Sequence, residues 1–223
     1  KLKPVSAGHK KIAVNCIFSK ETILEMNGIV KKNLSVLIQG FSTNDVKGTL
    51  NREISSITFD SRKAKKESLF VAVPGFKENG FKFINDSISH GASAFITEES
   101  IEGLSNVNLN QNNVTAICVE DCRKALAWIG SKFYDQPSSR IDLFGVTGTN
   151  GKTTTTYILD SIYKAQKKIS GIIGTIHYGY AGTKHAAPIT TPESLDINRM
   201  LYEMTEQKIS QCFLEVSSHS LSL

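Results

Sequence analysis

Long apolar runs are missing from the 223-residue chain. None approaches the roughly 20 residues that a membrane-spanning helix needs, so no such helix is expected. The opening residues are basic but hold no apolar core with a small-residue cleavage site, so no secretory leader is expected either. Cysteine is scarce as well. Cys16, Cys118, Cys122 and Cys212 are widely spread, and no histidine or further cysteine lies near Cys118 and Cys122. That pattern argues against zinc and fits a reducing, cytosolic compartment. Cys212 lies in an apolar run and reads as a buried thiol. An excess of one charge is also absent. The net charge is a modest +5, and its densest cluster is Lys63, Lys65 and Lys66. So small a cluster reads as a solvated face, not as a nucleic-acid footprint. Neither nucleic acid nor a membrane is expected as a partner, and the chain is expected to be a monomer.

What is present is an ordinary globular composition, 40% hydrophobic and 21% charged, with length enough for one large or two small cores. Residues 1–32 read as an N-terminal extension, with a possible strand over Val14–Phe18, a possible helix over Glu21–Val30, and a compact start near Met26. From Asn33 the patterns sharpen. Leu34, Leu37 and Ile38 suggest a short helix, and Ile54–Phe59 a strand. Ser68–Val73 suggests a buried strand ended by Pro74-Gly75. Phe81, Ile84 and Ile88 share a helical face, Ala94–Ile96 is a strand, and 99–113 is a polar loop. A strand over Thr115–Val119 precedes a helix capped by Asp121, with Cys122, Ala125, Leu126, Ile129 and Phe133 along one stripe. Turn formers over Asp135–Ser139 place a domain boundary there.

The later half predicts a buried strand over 141–147, a helix over 153–167 with Ile158, Leu159, Ile162 and Tyr163 on one stripe, and a strand over Ile169–Ile176. A loop is expected over Gly179–Pro188, then a helix started by Thr191-Pro192-Glu193 with the threonine as cap. Ile197, Met200, Leu201 and Met204 form its core face, and Ser210–Val216 is a strand. Alternating strands and helices imply an α/β fold with mainly parallel sheets: a small α/β domain over 33–138, then the start of a P-loop α/β domain over 139–223.

Val146–Thr154 carries the chemistry. A strand, the turn Gly148-Thr149-Asn150-Gly151, then Lys152-Thr153-Thr154 opening a helix is the setting of a phosphate-binding loop. Glycines let backbone N–H groups converge on phosphate, and the helix N-terminus adds a favourable dipole. Lys152 would reach the terminal phosphates and the Thr153 hydroxyl a magnesium ion. The general pattern G-x-x-x-x-G-K-[ST] places its first glycine at 146, where the chain has Val146. Glu215 interrupts an apolar strand near its carboxyl end, where an unpartnered carboxylate would be costly.

Gly145–Thr154 resembles the ATP loop of Mur ligases, whose variant lacks the early glycine. Three further segments are similar to the members that add the third amino acid: Ile57–Arg62 with Leu69–Gly75, Thr190–Ser194, and Glu215–Leu221. The resemblance implies ATP-dependent amide formation through an acyl phosphate, with a UDP-N-acetylmuramoyl dipeptide and a diamino acid (meso-diaminopimelate or L-lysine) as substrates and ATP and Mg2+ as cofactors. It assigns ATP to Gly148–Thr154, the UDP portion to Phe59, Ser61, Phe76, Lys77 and Glu78, and the muramoyl dipeptide to Thr190, Thr191 and Ser217. Lys152 and Glu215 would be catalytic, and Thr153 and Glu215 would approach magnesium. It also implies that the chain lacks the family's amino-acid-binding domain and does not complete the reaction alone. Two alternatives stay open: a non-catalytic nucleotide-binding fragment, and a superfamily ligase for another acyl substrate. Apart from the resemblance, Asp60-Ser61 and Thr191 also read as simple caps.

Overall fold

The computed structural model describes residues 30–75, 78–100, 103, 107, 113–180 and 182–221. The readings over 14–29 and most of the loop over 99–113 lie outside the described residues. Strand β1 (Lys32–Asn33) runs into helix α1 (Leu34–Ile38), which Asn33 caps by accepting from the Ser35 N–H. After β2 (Asp45–Lys47), the strand expected over Ile54–Phe59 is in two pieces. β3 (Glu53–Ile54) pairs with β1, whereas β4 (Ser56–Thr58) joins a five-stranded sheet.

That sheet continues with β5 (Ser68–Val71), β6 (Ala92–Thr97) and β7 (Thr115–Cys118), and α2 (Ile84–Ser89) links β5 to β6. Its order is β2-β7-β6-β5-β4. The pairs from β4 to β7 are parallel, and β2 closes the edge antiparallel to β7. β5 and β7 are buried throughout, as expected of inner parallel strands. Helix α3 (Cys122–Phe133) buries the expected stripe of Cys122, Ala125, Leu126, Ile129 and Phe133, and the Asp121 carboxylate accepts from the Lys124 N–H. Asp121→Ala is expected to cost about 1 kcal/mol, read as a lower urea midpoint at unchanged slope.

The second sheet is built from β8 (Asp142–Val146), β9 (Ser170–Ile173), β10 (His177–Tyr180), β11 (Thr183–Ala186) and β12 (Gln211–Glu215), in the order β11-β10-β9-β12-β8. Helices α4 (Lys152–Ala165) and α5 (Ser194–Glu206) carry the crossovers, and α6 (Ser218–Leu221) follows β12. β12 is parallel to both β8 and β9, while β10 and β11 form an antiparallel hairpin. Lys31–Leu223 clusters as one compact unit, with α3 against α5.

Two expectations fail here, and a third feature is only partly as the pattern suggests. The loop placed over 179–188 is largely the β10–β11 hairpin, with Gly182 at φ 79° in its turn; this brings the sheet to five strands. β8 is not buried: Leu143 and Phe144 are 37% and 42% exposed, and among the described residues β8 pairs only with β12, at the sheet's edge. The apolar stripe of α4 is covered only in part: Leu159 and Tyr163 are half-buried, with the Tyr163 ring edge-on to Phe213 at 5.3 Å. Ile158 and Ile162 are exposed, and the helix buries Thr156 and Asp160 instead, Asp160 accepting from Ser170 Oγ at 2.7 Å.

Candidate functional site

The carboxyl ends of β8, β12 and β9 lie side by side, and open α/β sheets bind ligands outside the carboxyl ends of their strands. The loop after β8 enters α4 through Gly151 at φ 81°, a left-handed conformation that glycine adopts without a Cβ penalty. Gly151 is the N-cap and supplies no side-chain bond, so the first-turn N–H groups have no capping side chain. The next strong polar group is Lys152, whose Nζ folds back to the Gly148 carbonyl at 2.8 Å. This is a concave, donor-rich loop at the positive end of a 14-residue helix, and it suits an anion.

Glu215 ends β12 and is fully buried. Its carboxylate accepts from Thr153 Oγ1 at 2.8 Å, the Thr175 N–H at 3.1 Å and Thr175 Oγ1 at 3.0 Å. A Cβ on Gly174 would lie 2.2 Å from Glu215 Oε1, so only glycine leaves room for the carboxylate. Thr175 Oγ1 is also 3.2 Å from Thr190 Oγ1. Gly174 and Thr175 are therefore part of the site, though no motif marks them. The one signal for them was their place near the carboxyl end of the strand expected over Ile169–Ile176, which the structure ends at Ile173. The donor set is one carboxylate and several hydroxyls; among the described residues no three His, Cys, Asp or Glu side chains cluster. Such a set fits magnesium, which takes few protein oxygens and draws the rest from phosphate and water.

A cavity of about 270 Å³ joins residues 149–154 to Thr175, Thr190, Glu215 and Ser217. A larger one of about 800 Å³ runs between α3 and the start of α5, and it shares Thr190 and Ser217 with the first. Thr191 does not cap α5. Glu193 is the N-cap residue, and the Thr191 hydroxyl instead donates to the Glu215 carbonyl at 2.8 Å and accepts from the Ser217 N–H at 3.0 Å. It shapes the wall between the cavities. On the other side of the site, the Tyr157 hydroxyl meets His177 Nδ1 at 2.5 Å and ties the hairpin to α4. Burial, then Lys184 and Lys164, lowers the His177 pKa and favours the neutral ring.

Phe59 and Ser61 line a separate cavity of about 670 Å³, with Asp60, Arg62, Phe83 and Asp86. Asp60 also caps the short helix at Ser61–Lys63 and holds Arg62 in two hydrogen bonds. Glu78 is not among the residues around that cavity; it pairs with Lys82 at 2.9 Å. Phe76 and Lys77 lie outside the described residues.

Residues 53–134 match the Mur ligase family, catalytic domain, and residues 146–223 match the Mur ligase middle domain. The UDP-N-acetylmuramoyl-L-alanyl-D-glutamate--2,6-diaminopimelate ligase of Alkaliphilus metalliredigens (strain QYMF) is 40% identical over 187 residues, covering 84% of this chain and 36% of the relative. The ligase of the same name from Clostridioides difficile (strain 630) is 41% identical over 190 residues, with 85% and 38% covered. The chain thus spans a little over a third of the length of these relatives. A solved UDP-N-acetylmuramoyl-L-alanyl-D-glutamate--2,6-diaminopimelate ligase superposes with a TM-score of 0.67 at 22% identity, over 86% of this chain and 37% of that one. A UDP-N-acetylmuramoylalanyl-D-glutamyl-2,6-diaminopimelate--D-alanyl-D-alanyl ligase from Acinetobacter baumannii gives 0.53 at 22% identity, over 84% and 36%. With both matched regions in sequence order and the same α/β architecture in solved relatives, the chain belongs to the Mur ligase family.

Proposed function

We propose that the chain carries the nucleotide-binding and precursor-binding parts of a ligase that joins 2,6-diaminopimelate to UDP-N-acetylmuramoyl-L-alanyl-D-glutamate during peptidoglycan synthesis. Residues 33–138 take the UDP end, with Phe59 and Ser61 in its cavity, and residues 139–223 take ATP and the peptide end. The names of the 40%-identical relatives support the substrate assignment. The observation that carries the reading is the pair Thr190 and Ser217, shared by the phosphate cavity and the larger cleft beside buried Glu215. Two reactants held in those cavities meet at these side chains.

In this reading the precursor's free carboxylate attacks the γ-phosphorus of ATP, the bond to ADP breaks, and an acyl phosphate forms. The amine of the diamino acid then attacks the acyl carbon, loses its proton and expels phosphate. The first-turn N–H groups of α4 hold phosphate oxygens, and Lys152 exchanges the Gly148 carbonyl for them, offsetting charge that builds on the leaving group. Magnesium, held by Glu215, Thr153 and phosphate oxygens, would neutralise charge on the transferred group. Thr190 and Ser217 orient the carboxylate, and Thr191 keeps them in place.

Titration calorimetry tests the assignment. The chain is expected to bind Mg-ATP and UDP-N-acetylmuramoyl-L-alanyl-D-glutamate. Lys152→Ala is expected to weaken ATP binding by about 100-fold and leave the UDP ligand untouched. No heat from the UDP ligand with the parent chain would sink the assignment.

A further inference from the structure

The 670 Å³ cavity beside the first sheet is lined by two side chains that no motif singles out, Phe83 and Asp86. Phe59, on the same cavity, follows the carboxyl end of β4 at the sheet's edge and is 37% exposed. Phe83 ends the short helix Gly80–Phe83, directly ahead of α2, and is 40% exposed. The core beneath α2 is built by Phe81, Ile84 and Ile88, packed with Phe70 and Phe95 of the strands. Phe83 lies off that face, and its ring is left at the surface.

Two large apolar rings half out of water on one cavity suit a flat ligand that covers them. Stacking on aromatic side chains serves any nucleic-acid base, because every base has a π face. A choice between bases must therefore come from polar groups. Two carboxylates line the cavity, Asp60 and Asp86. Both oxygens of Asp60 are engaged: Oδ1 accepts from Arg62 Nε and Oδ2 from Arg62 Nη2, each at 2.9 Å. Asp86 is more open. Its side chain is 44% exposed, with Oδ1 3.5 Å from His90 Nδ1, which leaves it room to accept from a ligand.

We propose that Phe59 and Phe83 together form the stacking surface for a pyrimidine base, and that Asp86 selects uracil. Uracil carries N3–H between two carbonyls, and a carboxylate accepts from that donor. Cytosine has a bare acceptor nitrogen at the same place, which a carboxylate repels. This rests on the functional reading above, which puts the UDP end of the precursor in this cavity. It adds two binding residues and a reason for the base.

Titration calorimetry on the whole chain with UDP, CDP and Mg-ATP is the test. The parent is expected to bind UDP at least about tenfold more tightly than CDP. Phe83→Leu keeps apolar bulk but loses the ring, and it is expected to weaken UDP about tenfold. Phe83→Tyr keeps the ring and stays within about threefold of the parent. Asp86→Asn can turn either its carbonyl or its amide to the base, so UDP and CDP come within about threefold of each other. Mg-ATP, held at the other sheet, stays within about twofold throughout. Phe83→Leu that binds UDP like the parent overturns the proposal, and so does Asp86→Asn that keeps the parent's preference for UDP. Equal losses of UDP and Mg-ATP in Phe83→Leu, with a collapsed melting temperature, also overturn it, by making the ring merely structural. A parent that binds UDP and CDP alike sinks this proposal and leaves the functional reading standing. A parent that binds neither removes both.

Discussion

A Glu215→Gln chain is expected to fold as stably as the parent, within about 1 kcal/mol, and to bind ATP with little response to magnesium. The two halves of that result have different causes. For folding, the seat tolerates an amide. Its carbonyl oxygen can accept from the Thr175 N–H, while the Thr153 and Thr175 hydroxyls, which now donate to Oε2, can rotate and accept from the amide nitrogen. Among the described residues no cation stands among the hydrogen-bond partners of Glu215, so removing the charge also removes a desolvation cost. For the metal, an amide oxygen is a much poorer ligand than a carboxylate, and magnesium draws few ligands from protein. The gain in ATP affinity on adding magnesium is therefore expected to fall by about 100-fold, at the top of the 10–100-fold range that follows loss of the supporting groups of a metal site. Calorimetry with and without magnesium, beside urea melts, measures both. A stable variant with the parent's magnesium response would remove Glu215 from the metal site.

The phosphate loop was legible because everything it needs is local. The turn glycines, Lys152 and Thr153 fall within a few residues, between a strand and a helix. Glu215 was legible for a different reason: a carboxylate inside an apolar strand has to be partnered, and it is, by three donors. Its partners were not legible. Thr175 is forty positions away and reaches Glu215 only because β9 and β12 pair in parallel. The 2.7 Å ion pair between Arg123 of α3 and Glu193 likewise depends on α3 lying against α5. The exposure of β8 escaped notice because an apolar run has the same composition at a sheet's edge as at its centre, and pairing on one side only is a property of the whole sheet. The β10–β11 hairpin was hidden by Gly179 and Gly182, which read as loop residues. Gly182 does sit in the turn, but Gly179 lies inside a strand, where a Cβ would meet the His177 ring at 2.5 Å.

Gly174→Ala is expected to be the most damaging single-methyl change in the site. The new Cβ would stand 2.2 Å from Oε1, 2.7 Å from Cδ and 2.9 Å from Cγ of Glu215, closer than a Cβ approaches non-bonded atoms. The obstacle is a side chain, but not a free one. Its carboxylate is held by three hydrogen bonds and has no exposed surface to retreat to. Either the carboxylate leaves its seat and the Thr153 and Thr175 hydroxyls lose their acceptor, or the turn after β9 moves and pulls Thr175 away. Overpacking of this kind costs about 1–3 kcal/mol, and the loss of charge-assisted hydrogen bonds brings the expected total toward the upper end. Magnesium-dependent ATP binding should vanish with it, since both routes displace Glu215 or its partners. The cause can be isolated by a double-mutant cycle. In the clash reading, Gly174→Ala combined with Glu215→Ala regains much of the stability lost by Gly174→Ala, because the second change removes the atoms that the first one strikes. Additive losses in urea melts would mean that the turn itself, and not the buried carboxylate, is what requires glycine at this position.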